Sequence, residues 1–192
     1  MPSRSMVRIL DSRPLRHGYV TVTSLTMADD KGETFQREVV SFGHSACVLP
    51  YDPARKVALV IRLPRAPLIQ AGIETPLIEA PAGMIEAGES AETTVRREAF
   101  EEAGIVLGDL EAVAVVWPSP GVLAERSHLF LAAYGAADRR GPGGGLAEEH
   151  EGIAVEEMAL SDLAGLAQSG GLQDMKTLAL VFSLRIRRPD LF

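Results

Sequence analysis

Residues 19–27, YVTVTSLTM, alternate polar and apolar side chains and are rich in β-branched ones, which predicts a strand. The turn-like DDKGE at 29–33 follows, and TFQREVVSF after it predicts an antiparallel partner. ACVLPYD and KVALVIRL predict a second pair of strands divided by a turn around Pro53. EAVAVVW at 111–117 and SHLFLAAY at 127–134 predict two more. In the middle of the chain the period changes: Ala91, Val95 and Ala99 recur at helical spacing and give one apolar stripe. Ser90 stands as an N-cap, Glu92 suits the positive helix start, and Gly104 falls where a left-handed C-cap belongs. SDLAGLAQSG predicts a short helix opened by a serine cap. DMKTLALVFSLRIRR predicts a longer closing helix with basic residues at its C-terminal end. The stretch 135–152, rich in glycine and charge, predicts a mobile loop.

The helix that begins after Ser90 carries Glu98, Glu101 and Glu102 within one turn, behind Arg97. Residues three and four apart share a helix face, so these carboxylates converge. Like charges at that spacing destabilise a helix unless something positive sits among them. Magnesium takes carboxylate oxygens and keeps several waters for a phosphate-bearing substrate. A solvated acidic face is the bland alternative.

Composition narrows the setting. A chain of 192 residues suits one domain with a substantial core, and an apolar share of 46% is ordinary for a globular protein. A net charge of −7 argues against nonspecific binding to nucleic acid or to an anionic membrane. Cys47 lies in the apolar run ACVLP and reads as core; one cysteine allows no internal disulfide and fits a reducing cytoplasm. Trp117 also reads as core, and His44, His128 and His150 are too scattered to be assigned to a metal. MPSRSMVRIL carries no signal-peptide pattern, and no apolar run is long enough to span a bilayer as a helix.

The segment from Gly83 to Ile105, GMIEAGESAETTVRREAFEEAGI, resembles the Nudix box, G-x5-E-x7-R-E-U-x-E-E-x-G-U with U a bulky aliphatic residue. Its positions are Gly83, Glu89, Arg97, Glu98, Ala99, Glu101, Glu102, Gly104 and Ile105; Ala99 alone departs, being smaller than usual. Over roughly residues 15–185 the chain resembles the ADP-ribose pyrophosphatase group with its GDP-mannose pyrophosphatase relatives. REV at 37–39 before FGHSACVLPYDP, Arg65, EAPAGMIEAGE and SPGVLAER carry that likeness. Pro120 stands at the group's marker proline, while Val122 replaces the second glycine of the usual SPGG.

The resemblance implies an α/β (α+β) fold, an α/β/α sandwich with a curved mixed sheet and an N-terminal antiparallel β subdomain. It divides the chain into a β arm at 1–42, which helps form a homodimer, and a hydrolase domain at 43–192. It implies Mg2+, or Mn2+ in its place, held by the Ala82 carbonyl, Glu98, Glu102 and Glu151, with Glu101 beside them as a ligand direct or through water. Glu149 is the implied catalytic base, and Glu148 competes with it if the loop register differs. Arg37 and Arg65 are implied phosphate or ribose contacts, or else structural ion pairs. Tyr19, Glu38, Met84 and Glu125 complete the implied substrate set, Arg37 and Glu38 acting on the partner subunit's site. The implied reaction is hydrolysis of a nucleoside diphosphate sugar, with ADP-ribose favoured over GDP-mannose. QDMKT at 173–177 is the feature closer to the GDP-mannose relatives; Lys176 there contacts a phosphate or sits exposed at a helix start. A sensing module that kept the fold without the chemistry would be expected to lose a box carboxylate, and none is missing. A hydrolase of oxidised nucleoside triphosphates fits the box, but Pro120 and the N-terminal segment argue against it.

Overall fold

The computed structural model describes residues 6–146, 148 and 152–192. They fall into two units, Met1–Gly43 with Trp117–Arg126, and His44–Val116 with Ser127–Phe192.

In the first unit β1 (Arg8–Arg16), β2 (Thr21–Ala28) and β3 (Thr34–Ser41) form an antiparallel sheet in that order. The turn between β2 and β3 is made by Asp29, whose carboxylate accepts from the backbone N–H groups of Lys31 and Glu33. Every residue of β1 is exposed, which explains why RILDSRPLR carries no alternating pattern. The segment 117–126 is tied to β3: Val40 N–H donates to Val122 O at 2.9 Å, and Ala124 N–H to Val40 O at 2.9 Å. Trp117 is not core, as its sequence context suggests, but 52% exposed, with the Arg126 guanidinium over its ring.

The second unit is built on β4 (Ser45–Asp52), whose eight residues are all buried. It pairs in parallel with β8 (Ser127–Ala133), which pairs antiparallel with β7 (Glu111–Val116). On its other side β4 meets β5 (Val57–Arg62) only at Tyr51 and Asp52, and then the two strands diverge. A strap, residues 79–84, fills the widening gap. It bonds to β5 through Ile61 and Glu79 and to β4 through Val48 N–H to Pro81 O, then pairs with β4 as β6 (Ala82–Met84). β9 (Ala154–Ala159) closes the edge against β5.

Alternation along β4 feeds two cores. Ala46 and Val48 pack with Val95, Ala99 and Ala103 of α2 (Ala91–Ala103) on one face. Cys47, Leu49 and Tyr51 pack on the other with α3 (Leu160–Ser169) and α4 (Met175–Arg187). The result is a mixed sheet between helical layers, and a short helix, α1 (Ala66–Gln70), follows β5. Ser90 caps α2 by accepting from Thr93 N–H, and Gly104 closes it at φ 69°, where an added Cβ would also overlap the Gly141 carbonyl. The expected serine cap of α3 is absent: the chain turns straight from β9 into the helix at Leu160, which leaves Ser161 inside the first turn. The glycine-rich stretch after 135 is hydrogen bonded where it is described. Gly144 and Gly145 N–H groups donate to the Glu102 and Glu101 carbonyls at the end of α2.

Candidate active site

Strap and helix meet where the box begins and ends. Gly83 lies so close to α2 that a Cβ there would overlap the Glu98 side chain, so any larger residue would displace that carboxylate. Glu102, 3% exposed, accepts from Ala82 N–H at 2.8 Å and so fixes the orientation of the Ala82 peptide. Burying a carboxylate without partners is costly, and this bond helps to offset it.

Arg97 is the positive group that the clustered acids require. Its Nη1 donates to Glu98 Oε1 at 2.8 Å and to Glu101 Oε2 at 3.1 Å. Its Nε and Nη2 reach the two oxygens of Glu89, and Nη2 also donates to Met84 O. Glu89 is held below the ordinary carboxylate range by hydrogen bonds from Arg97 and then Thr94. The guanidinium is correspondingly harder to deprotonate, first through Glu89.

The strap is gripped from the α4 side too. Ala80 N–H donates to Thr177 Oγ1 at 2.7 Å, and Cys47 Sγ donates to Ala80 O. Burial pushes the Cys47 thiol strongly up, so it is inert, as expected of a core cysteine. Asp174 caps α4 and accepts from Lys176 Nζ at 2.7 Å. Lys176 is 22% exposed and ion-paired, not free at a helix start. Burial opposes charge on both partners, but their attraction outweighs it: Asp174 is held low and Lys176 high. Arg65 forms a two-pronged pair with buried Glu79, Nε to Oε1 at 3.0 Å and Nη2 to Oε2 at 2.9 Å.

Of the residues singled out in the sequence, Glu98, Glu101 and the Met84 carbonyl therefore gather on Arg97, Glu102 ties Ala82 to α2, and Arg65 joins the same strap through Glu79. Tyr19, Arg37, Glu38 and Glu125 belong to the first unit. Tyr19 is 84% exposed and lies outside the strands, Arg37 stacks over Phe35 and is exposed, and Glu125 is buried. Glu149 and Glu151 lie outside the described residues, and Glu148 is exposed. Glu79, Asp174 and Thr177 lie within EAPAGMIEAGE and QDMKT, but sequence reasoning assigned none of them a role of its own. An aspartate three residues before a threonine at a helix start is a capping signal that would have flagged the last two.

These donors are carboxylate and carbonyl oxygens, the ligands preferred by hard cations. Magnesium is held by one or two carboxylates together with water and substrate phosphate oxygens, so Glu98, Glu102 and the Ala82 carbonyl fit it. Among the described residues no three His, Cys, Asp or Glu side chains form a ready cage. An acidic, hard-oxygen junction on an α/β/α sandwich is the kind of site suited to cation-assisted phosphate chemistry.

Comparison with known proteins specifies that class. The NUDIX domain model matches residues 42–179. A GDP-mannose pyrophosphatase of Cronobacter sakazakii is 34% identical over 94% of this chain and 96% of its own. A GDP-mannose pyrophosphatase of Salmonella arizonae is 31% identical over 91% of this chain and 93% of its own. A crystal structure of an ADP compounds hydrolase superposes with TM-score 0.76 at 18% identity, covering 96% of this chain and 95% of that one, which is a likeness of fold. The chain belongs to the Nudix family and is a hydrolase of the nucleoside diphosphate sugar type. Enzymes of this family generally use divalent metal ions such as Mg2+. No helix among the described residues is long and apolar enough to cross a membrane.

Proposed function

We propose that this protein hydrolyses the diphosphate bridge of GDP-mannose, giving GMP and mannose 1-phosphate. The observation that carries the reaction class is the junction at which Glu102 orients the Ala82 peptide while Glu98 rests on Gly83. The choice of sugar nucleotide is supported by the full-length similarity to GDP-mannose pyrophosphatases and by the Asp174–Lys176–Thr177 segment. ADP-ribose, giving AMP and ribose 5-phosphate, is the second reading, carried by the resemblance of residues 15–185 to the ADP-ribose pyrophosphatase group.

In this reading the Ala82 carbonyl, Glu98 and Glu102 hold Mg2+ or Mn2+, with Glu151 and Glu101 completing the set. Held there, the cation would supply positive charge for the phosphate oxygens and the leaving group. Glu149 takes a proton from a water whose oxygen attacks one phosphorus; the bridging P–O bond breaks and its electron pair leaves with the departing phosphate. Arg97 keeps the acids together against their repulsion. Arg65 and Lys176 offer positive charge to the diphosphate, each held by a carboxylate. Met84 lies on the strap beside these groups; in the same reading Tyr19 stacks on the base, Glu125 accepts from sugar hydroxyls, and Arg37 and Glu38 act on the partner subunit's site.

A homodimer is part of the same proposal. The first unit exposes Met6, Val7, Ile9, Leu10 and Leu15 on and beside β1, and a second copy would cover them. Cytoplasmic residence, without nucleic acid or membrane partners, fits the single buried cysteine and the net charge of −7.

The test is to incubate the protein and Mg2+ with GDP-mannose, ADP-ribose and a nucleoside triphosphate and to separate the products. GMP and mannose 1-phosphate formed fastest support the proposal. Faster release of AMP and ribose 5-phosphate selects the second reading, and turnover of the triphosphate alone overturns both.

A further inference from the structure

The start of α4 reaches into the site through one hydroxyl. Thr177 is wholly buried three residues into the helix, with Asp174 as the N-cap. Asp174 Oδ2 accepts from Thr177 N–H at 2.8 Å and from the Thr177 hydroxyl at 2.6 Å. An ionised carboxylate only accepts, so the hydroxyl proton is committed to Asp174. The lone pairs of Thr177 Oγ1 therefore face Ala80 N–H, which donates to it at 2.7 Å.

Ala80 is the residue of the strap that lies between its two working parts. On one side is Glu79, which holds Arg65. On the other is Ala82, whose N–H is held by Glu102. Lys176 Nζ occupies the remaining oxygen of the same cap, so the carboxylate that fixes Thr177 also fixes the lysine. One hydrogen-bonded chain thus runs from Lys176 through Asp174 and Thr177 to the backbone that presents the Ala82 carbonyl. A helix cap alone would need only the Thr177 N–H bond; the bond from Ala80 to the side chain is additional.

We infer that Thr177, oriented by Asp174, is a positioning residue for the strap: it sets the place of the Ala82 carbonyl and couples it to Lys176. This rests on the functional reading above, in which Ala82 is a metal ligand. Supporting groups one step removed from a metal typically change metal affinity or activity about 10–100-fold when replaced.

The experiment compares wild type, Thr177→Val, which keeps shape without the hydroxyl, and Thr177→Ser, which restores it. The readouts are amide hydrogen exchange over residues 79–84, Mn2+ affinity by electron paramagnetic resonance, and kcat/KM for GDP-mannose. Thr177→Val is expected to exchange faster across the strap and to lose about 10–100-fold in Mn2+ affinity and in kcat/KM. Thr177→Ser is expected to recover all three. A lowered Tm with wild-type strap exchange and wild-type Mn2+ affinity in the folded variant overturns the inference. If Thr177→Val does not fold, Thr177→Ala serves instead: it too removes the hydroxyl that accepts from Ala80 N–H, and unchanged exchange over 79–84 in that folded variant is equally fatal. Should wild type consume no sugar nucleotide, the functional reading fails, while the exchange comparison still decides the role of Thr177.

Discussion

β4 and β1 are strands of similar length at opposite extremes: every residue of β4 is buried, and every residue of β1 is exposed. β4 holds the strap, and the strap meets α2, so the acids that would grip a cation rest on the best-packed element of the chain. Of the residues implied for the sugar nucleotide, Arg37 and Glu38 are exposed on β3 of the first unit, and Tyr19 is exposed just before β2. In the proposed reading, chemistry and recognition fall to parts with different requirements. The second unit supplies its own core for the reaction, while the first exposes a surface that a second copy would complete.

The largest effect on turnover should come from removing the proposed base. Glu149→Gln is expected to lower kcat about 10²–10⁴-fold with unchanged Tm. Steady-state kinetics checks this, and wild-type turnover would pass the role to Glu148.

Core substitutions test the contrast in burial itself. Leu49→Ala on β4 should cost ~2–5 kcal/mol in urea denaturation. Ile9→Ala on β1 should cost a protomer no more than about 0.5 kcal/mol but weaken the dimer, read by light scattering across a dilution series. A fully active monomer at micromolar concentration would break the proposed function of the exposed sheet.

Acid should act first on the second unit. Asp52, Glu89, Glu157 and Asp174 all lie there, and each is held below its ordinary carboxylate range. A folded pKa below the unfolded one stabilises above the ordinary carboxylate range, and that contribution fades as pH falls through the folded value. Tm should therefore hold near neutral pH and decline below about pH 4. In Asp174→Asn the decline should be shallower, the smallest effect predicted here.

The same contrast explains what was legible in the sequence. β4 and β5 announce themselves as apolar runs because both of their faces are buried, α2 by the period of its one buried face, and the box by its fixed residue types and spacing. β1 imposes none, since neither of its faces is buried. β9 is an edge strand whose Glu156 and Glu157 pair with Arg62 and Arg55 of its neighbours, so its charges mask it. Trp117 misleads because its hydrophobic area is exposed beside Arg126. The ties of the strap, Glu79 to Arg65 and Ala80 to Thr177, span 14 and 97 positions, which no local pattern encodes.

The central claim is that the strap and α2 together form a cation site. Mn2+ binding measured by electron paramagnetic resonance on wild type, Glu98→Gln and Glu102→Gln tests it most directly. Saturable binding in wild type, weakened at least about tenfold in both variants at unchanged Tm, is the predicted result. Equal affinity in all three proteins would contradict it.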